Sequence, residues 1–142
     1  MPKINNSINI NAPVEKVFAY VTDPMNLPEW FVGMTEVTDV TGSGVGQHSR
    51  WKYSMIGIPF HGESKLTEHV SNQRSVSEQE GGITSTITYT FAPHEGGTKL
   101  DFEVDYTIPV PVLGKLAEKA VFKRNQREAA LSMQNIKERL EV

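Results

Sequence analysis

The 142-residue chain contains no cysteine. That excludes disulfides, thiolate nucleophiles and cysteine-ligated metals. No apolar run approaches the length of a membrane span, so stable membrane insertion is not expected. Met1-Pro2-Lys3-Ile4-Asn5-Asn6 lacks the apolar core of a secretory signal, and a cytoplasmic location is the expectation. Without such a signal, the formal glycosylation sequon Asn5-Asn6-Ser7 carries no weight. No Lys/Arg cluster falls among the strand-like segments, which argues against nucleic acid as a partner. Neither a Gly-x-Ser-x-Gly elbow nor a His-Glu-x-x-His pair occurs. Gly42-Ser43-Gly44-Val45-Gly46 lacks the Gly-Lys-Ser/Thr ending of a phosphate loop and precedes a strand. The histidines are His48, His61, His69 and His94. His61, Glu63 and His69 share a strand face by parity, but eight residues of strand separate the two imidazoles by roughly 26 Å. No metal and no cofactor is therefore expected.

What is present is one long, late element. From Pro111 to Val142 the chain reads as helix, a rod of roughly 45 Å if all of it is helical. Phe122, Ala129, Met133, Ile136 and Leu140 share one helical face. Leu113, Leu116, Ala117 and Ala120 form a second apolar stripe near the start, almost opposite the first. Residues 110–142 hold seven Lys/Arg against four Glu, although the whole chain carries a formal −3. A solvated helix surface is the favoured explanation. The sharper one is a cationic helix beside an anionic ligand or headgroup.

Before this helix the apolar period is mostly two. Ile4, Ile8 and Ile10 alternate with polar residues, as in a half-buried strand. Asn11-Ala12-Pro13 starts a short helix carrying Val14, Val17, Phe18 and Val21, with Asn11 or Ala12 near its cap. Asp23-Pro24 starts a second, with Leu27, Trp30 and Phe31 on its apolar face and Gly33 at its end. Six strands follow, turning at residues 42–46, at Gly57-Ile58-Pro59, at Asn72-Gln73, at Gly81-Gly82 and at Pro93–Gly97. Most are apolar on one face and Thr-lined or charged on the other. Such strands build an antiparallel sheet with one dry face, and only the C-terminal helix is large enough to cover it. The fold class is α+β, in a single domain spanning residues 1–142.

Asn11-Ala12-Pro13-Val14-Glu15-Lys16-Val17-Phe18-Ala19-Tyr20-Val21-Thr22-Asp23-Pro24, followed by Leu27-Pro28-Glu29-Trp30, resembles the opening of START-like (SRPBCC) proteins. That superfamily includes the Bet v 1 relatives, and the likeness is nearest its polyketide cyclase/dehydrase group. Gly96-Gly97-Thr98 before a strand, and the closing helix, fit the same resemblance. The resemblance implies a helix-grip fold: a curved seven-stranded antiparallel sheet around the C-terminal helix, two short helices after strand 1, and an apolar cavity between sheet and helix. It also implies a hydrophobic small molecule or lipid as partner. The family shares no catalytic motif, so no catalytic residue is carried over.

The leading expectation is binding or transport of such a molecule. A cofactor-independent cyclase or dehydratase and a protein-interaction module are the alternatives. The expected cavity lining is Trp30, Trp51, Tyr53, Met55, Phe60, Tyr89, Phe91, Phe102 and Tyr106, roofed by Leu113, Leu116, Ala120 and Arg124. Apolar pockets with a few polar tips suit small molecules, although the same residues also make a filled core. Buried phenols need partners, which a ligand, one another or water can supply. Arg124 either clamps a ligand carboxylate or pairs with Glu128 one turn on, the favoured option. Ala120→Trp is the substitution expected to fill the cavity. Nothing in the sequence specifies an oligomeric state.

Overall fold

The computed structural model describes the backbone of residues 3–107 and 110–141, with side chains at 3–107 and 119–141. Strand β1 (Lys3–Ile10) leads to helix α1 (Val14–Thr22), a 3₁₀ turn at Pro24–Asn26 and the one-turn helix α2 (Leu27–Trp30). Strands β2 (Met34–Thr41), β3 (His48–Met55), β4 (Ile58–Val70), β5 (Arg74–Gly81), β6 (Thr84–His94) and β7 (Gly97–Thr107) follow. Helix α3 (Val110–Leu140) closes the chain with 31 residues, a length of about 46 Å. The strands form one antiparallel sheet in the order β1-β7-β6-β5-β4-β3-β2. The architecture is the expected α+β helix-grip.

Alternation puts Trp51 and Met55 of β3, Ile87, Tyr89 and Phe91 of β6, and Leu100, Phe102 and Tyr106 of β7 on the buried face. Their β-branched, aromatic and Thr neighbours suit a pleated, half-wet surface. The buried face is not uniformly apolar. Ser49, Ser75 and Gln79 are also buried, so the β5 side of the sheet carries a polar band.

Several local details differ from the sequence reading. Pro13 is the N-cap of α1 and makes no side-chain cap bond. Asp23 does cap as expected, accepting from the Met25 amide at 3.0 Å. Helix α2 ends at Trp30, with Phe31 already extended, rather than at Gly33. The β3–β4 turn is Ile56-Gly57, one residue earlier than anticipated, because both adopt positive φ and Met55 pairs with Ile58. Glu95-Gly96 alone forms the β6–β7 turn, since His94 already pairs with Gly97. In β4 a bulge between Leu66 and Glu68 reverses the alternation. His69 consequently faces inward, 5.3 Å from the Phe18 ring, and does not share the face of His61 and Glu63.

On α3 the buried line runs Val121, Asn125, Ala129, Met133, Ile136, Leu140, with Ser132 beside it. Phe122 is only half-buried. The expected opposite stripe fails at the one position described, because Ala120 is exposed; Leu113, Leu116 and Ala117 lie outside the described side chains. The far end of α3 is fastened to the β1–α1 junction. The Glu141 carboxylate accepts from the Asn11 amide at 2.7 Å, and the Lys137 ammonium donates to the Asn9 carbonyl at 2.9 Å. Its middle is tied to the end of α2 by Asn135, which donates to the Trp30 carbonyl at 3.1 Å, and to the residues just after α2 by Ser132, which accepts from the Val32 amide at 2.9 Å.

The closest approaches of backbone are at Gly62 and Gly97. A Cβ at Gly97 would sit 2.3 Å from the Ile10 carbonyl oxygen, and the adjacent Thr98 hydroxyl donates to the Ala12 carbonyl at 2.8 Å. The Gly-Gly-Thr sequence is thus the seam between β7 and the entry to α1. Gly62 of β4 stands opposite Trp51 of β3. A Cβ there would meet the Glu80 carbonyl oxygen at 2.2 Å and the Trp51 ring at 2.5 Å. Gly62→Ala is therefore expected to destabilise the protein by about 1–3 kcal/mol and to change the Trp51 fluorescence in the folded state. A denaturant melt with an unchanged midpoint and unchanged emission would refute this.

Candidate ligand cavity

Helix α3 presents small side chains, Ala129 and Ser132, to an aromatic stretch of sheet. The mismatch leaves a cavity of about 100 Å³. Its walls are Trp51, Tyr53 and Met55 from β3, Ile87 from β6, Phe102, Val104 and Tyr106 from β7, and Asn125, Glu128, Ala129 and Ser132 from α3. Ile4, Phe31, Val32, Met34, Gln79, Ile83 and Ser85 complete the lining. A second space of about 70 Å³ lies next to it under β4 and β5, lined by Gln47, Ser49, Ser64, Ser75, Ser77 and Tyr89 among others. The two share Phe31, Met34, Trp51, Gln79 and Ile87 as a wall. Phe31 is held there by edge-on contacts to Tyr53 at 6.1 Å and Phe102 at 6.2 Å. Gln79 is held by its own network: its amide donates to Ser64 at 3.0 Å and Ser77 at 2.8 Å, and accepts from Ser85 at 2.7 Å.

The cavity has few polar atoms. Asn125 Nδ2 donates to the Tyr106 hydroxyl at 3.0 Å and points to the Met55 sulfur at 3.8 Å. The Asn125 Oδ1 is buried with no hydrogen-bond partner. The Ser132 hydroxyl is already engaged, donating to the Glu128 carbonyl at 2.8 Å while it accepts from Val32. Glu128 borders the space, and its carboxylate is paired with Arg124 at 3.1 Å.

The structure distributes the anticipated lining residues unevenly. Trp51, Tyr53, Met55, Phe102 and Tyr106 meet at the main cavity, and Tyr89 lines the second space. Trp30 is packed 6.0 Å from Tyr89 in the core, and Phe91 is 5.0 Å from Phe18 under α1. Phe60 lines a separate groove with Pro59, His61 and Gly82. Arg124 is not a roof residue: its side chain is exposed and bound to Glu128. Ala120 is also exposed, so a Trp there would not fill the space. Leu113 and Leu116 lie outside the described side chains. The sequence reading missed Phe31, Asn125, Ala129 and Ser132. For Asn125 a signal existed: it stands one turn from both Val121 and Ala129, a polar residue inside the buried line. Starting the helical face at Phe122 instead of Val121 concealed it.

A model of the family described as polyketide cyclase/dehydrase and lipid transport matches residues 1–141. No curated protein matches the chain. Among solved structures, TTHA0849 from Thermus thermophilus is 23% identical with a TM-score of 0.86, covering 98% of this chain and 97% of its own. A START superfamily protein from Mycobacterium smegmatis is 14% identical with a TM-score of 0.78, covering 97% and 98%. The di-domain ARO/CYC StfQ of the steffimycin biosynthetic pathway is 14% identical with a TM-score of 0.78; the match covers 99% of this chain and 50% of StfQ. At these identities the likenesses establish the shared fold.

Burial raises the pKa of Tyr53, Tyr89 and Tyr106, since a phenolate loses its hydration there. Glu128 adds to the effect at Tyr53, and the Asn125 hydrogen bond opposes it at Tyr106. Tyr20 is pushed up to about 12, by burial and then by its bond to Glu29. All four tyrosines are thus raised from 10.0. Below that value the phenols are neutral in both folded and unfolded chains. Above it the unfolded chain ionises first, so folding stability is lost as pH rises. Phenolate absorbance is expected to appear together with alkaline unfolding. A tyrosine that ionises near pH 10 in the folded protein would contradict this.

Proposed function

The chain belongs to the polyketide cyclase/dehydrase and lipid-transport family of START-like proteins, and from that premise we propose that it binds a hydrophobic small molecule in the cavity between the sheet and α3. The observation that carries this reading is the cavity itself, an aromatic space with few polar atoms beneath Ala129 and Ser132. Binding sites for small molecules have this character, and they gain affinity by removing apolar ligand surface from water. The described volume of about 100 Å³ suits a single ring. A larger ligand requires the wall at Phe31 to yield, which would join the main cavity to the serine-lined space. That second space would then take a more polar end of the same molecule.

A cyclase reading is favoured by one residue. Glu128 is a carboxylate at the cavity wall, beside the neutral phenols of Tyr53 and Tyr106. A positioned acid or base of this kind is what cyclisation or dehydration requires. Its pairing with Arg124 supports binding over proton transfer, because the ion pair engages the carboxylate away from a ligand. The two readings separate on turnover: a binder releases its ligand unchanged, whereas an enzyme alters it and loses that ability in Glu128→Gln.

Ala129→Leu places three further carbons into the cavity and is expected to lower affinity for single-ring apolar ligands by at least about tenfold, with a melting temperature equal to or above wild type, since filling a void is stabilising. Ligand-induced thermal shift on both proteins measures this. Equal shifts in the two would place binding elsewhere. No shift with any apolar molecule would remove the proposal.

A further inference from the structure

We propose that Asn125 is the polar anchor of this cavity, and that the ligand is an uncharged ring molecule bearing an O–H or N–H, which it donates to Asn125 Oδ1. The inference rests on the reading that the cavity binds a small molecule, and it names the class.

Asn125 is 7% exposed, on the buried line of α3. An amide at such a position carries donors and an acceptor, and each must be paired or it costs stability. Its two ends are in different situations. The Nδ2 end faces two acceptors, the Tyr106 oxygen at 3.0 Å and the Met55 sulfur at 3.8 Å. A thioether sulfur has no proton to give, so it favours the NH₂ end on that side. The Oδ1 end is thereby directed away from them, and it is buried without a partner.

Tyr106 completes the requirement. Its oxygen accepts from Asn125, which leaves its own proton to donate, and no acceptor for that proton occurs among the described residues. Asn125 and Tyr106 therefore offer one acceptor and one donor on adjacent side chains; the Trp51 indole N–H, also buried without a partner, and the Tyr53 hydroxyl are further polar groups of the lining. A single hydroxyl satisfies both by donating to Asn125 Oδ1 and accepting from Tyr106. An ether or ketone satisfies only Tyr106. A hydrocarbon satisfies neither and leaves Oδ1 orphaned. A carboxylate brings more acceptors to Oδ1 and negative charge to the Glu128 wall. Sites built around buried polar groups reject ligands that leave those groups unpaired far more strongly than apolar pockets reject a size change.

Phenol, anisole, toluene and benzoate share one ring and differ in these properties. Their affinities for wild type and for Asn125→Leu, measured by calorimetry, test the proposal. Wild type is expected to bind phenol at least about tenfold more tightly than anisole or toluene, and benzoate weakest. In Asn125→Leu, phenol is expected to fall to the level of toluene while toluene still binds. If wild type binds anisole and toluene as tightly as phenol, or binds benzoate best, the anchor is wrong and hydrophobic binding stands. If none of the four binds wild type, both readings fall. Should Asn125→Leu not fold, the same series on Asn125→Ala and Tyr53→Phe decides the matter: a phenol preference kept in the first or lost in the second places the anchor elsewhere in the lining.

Discussion

The structure depends on one constraint: a single helix has to cover the dry face of a seven-stranded sheet. An antiparallel sheet with one apolar face is unstable until that face is removed from water. Helix α3 does this with Met133, Ile136 and Leu140, which are almost fully buried, and with the bonds that fasten its end to Asn9 and Asn11. Toward Ala129 and Asn125 the same helix stops filling the space. Short side chains there face Trp51, Phe102 and Tyr106, and the gap is the cavity. Stability and function are thus divided along one helix by side-chain size.

The division makes the polar atoms informative. The sheet's own polar band is largely self-satisfied, with Gln79 bonded to three serines. Ser132 is spent on the Val32 amide after α2 and on its own helix. Asn125 alone among the cavity-lining residues described has a fully buried side-chain acceptor without a hydrogen-bond partner. An orphaned buried acceptor is rare because it is costly. Retaining one next to a free hydroxyl proton makes sense where a ligand completes the pair.

Much of the fold was legible in residue patterns. Alternation in Ile83–Phe91 and Leu100–Tyr106 marked two interior strands, while Ile108 lies outside the described residues; Asp23-Pro24 and Gly81-Gly82 marked a cap and a hairpin correctly. What escaped were effects that depend on pairing. The bulge after Leu66 turned His69 inward, which parity alone could not anticipate. The cavity was harder to read than the fold, because periodicity tells which residues are buried but not whether they touch. Trp30 and Phe91 are as buried as Phe102, yet they pack against Tyr89 and Phe18 rather than line the space. Small residues make a cavity by what they fail to fill, and Ala129 reads in sequence only as one more apolar position.

A hydrophobic ligand is expected to sit between Ala129 and the aromatic residues of β3 and β7. Methyl-resolved NMR during titration with a single-ring ligand would locate it. Saturable shifts are expected at the methyls of Met55, Ile83, Ile87 and Ala129, with the exposed Leu131 unaffected. Shifts at Leu131 and other exposed methyls, with the cavity methyls unmoved at saturation, would contradict this placement.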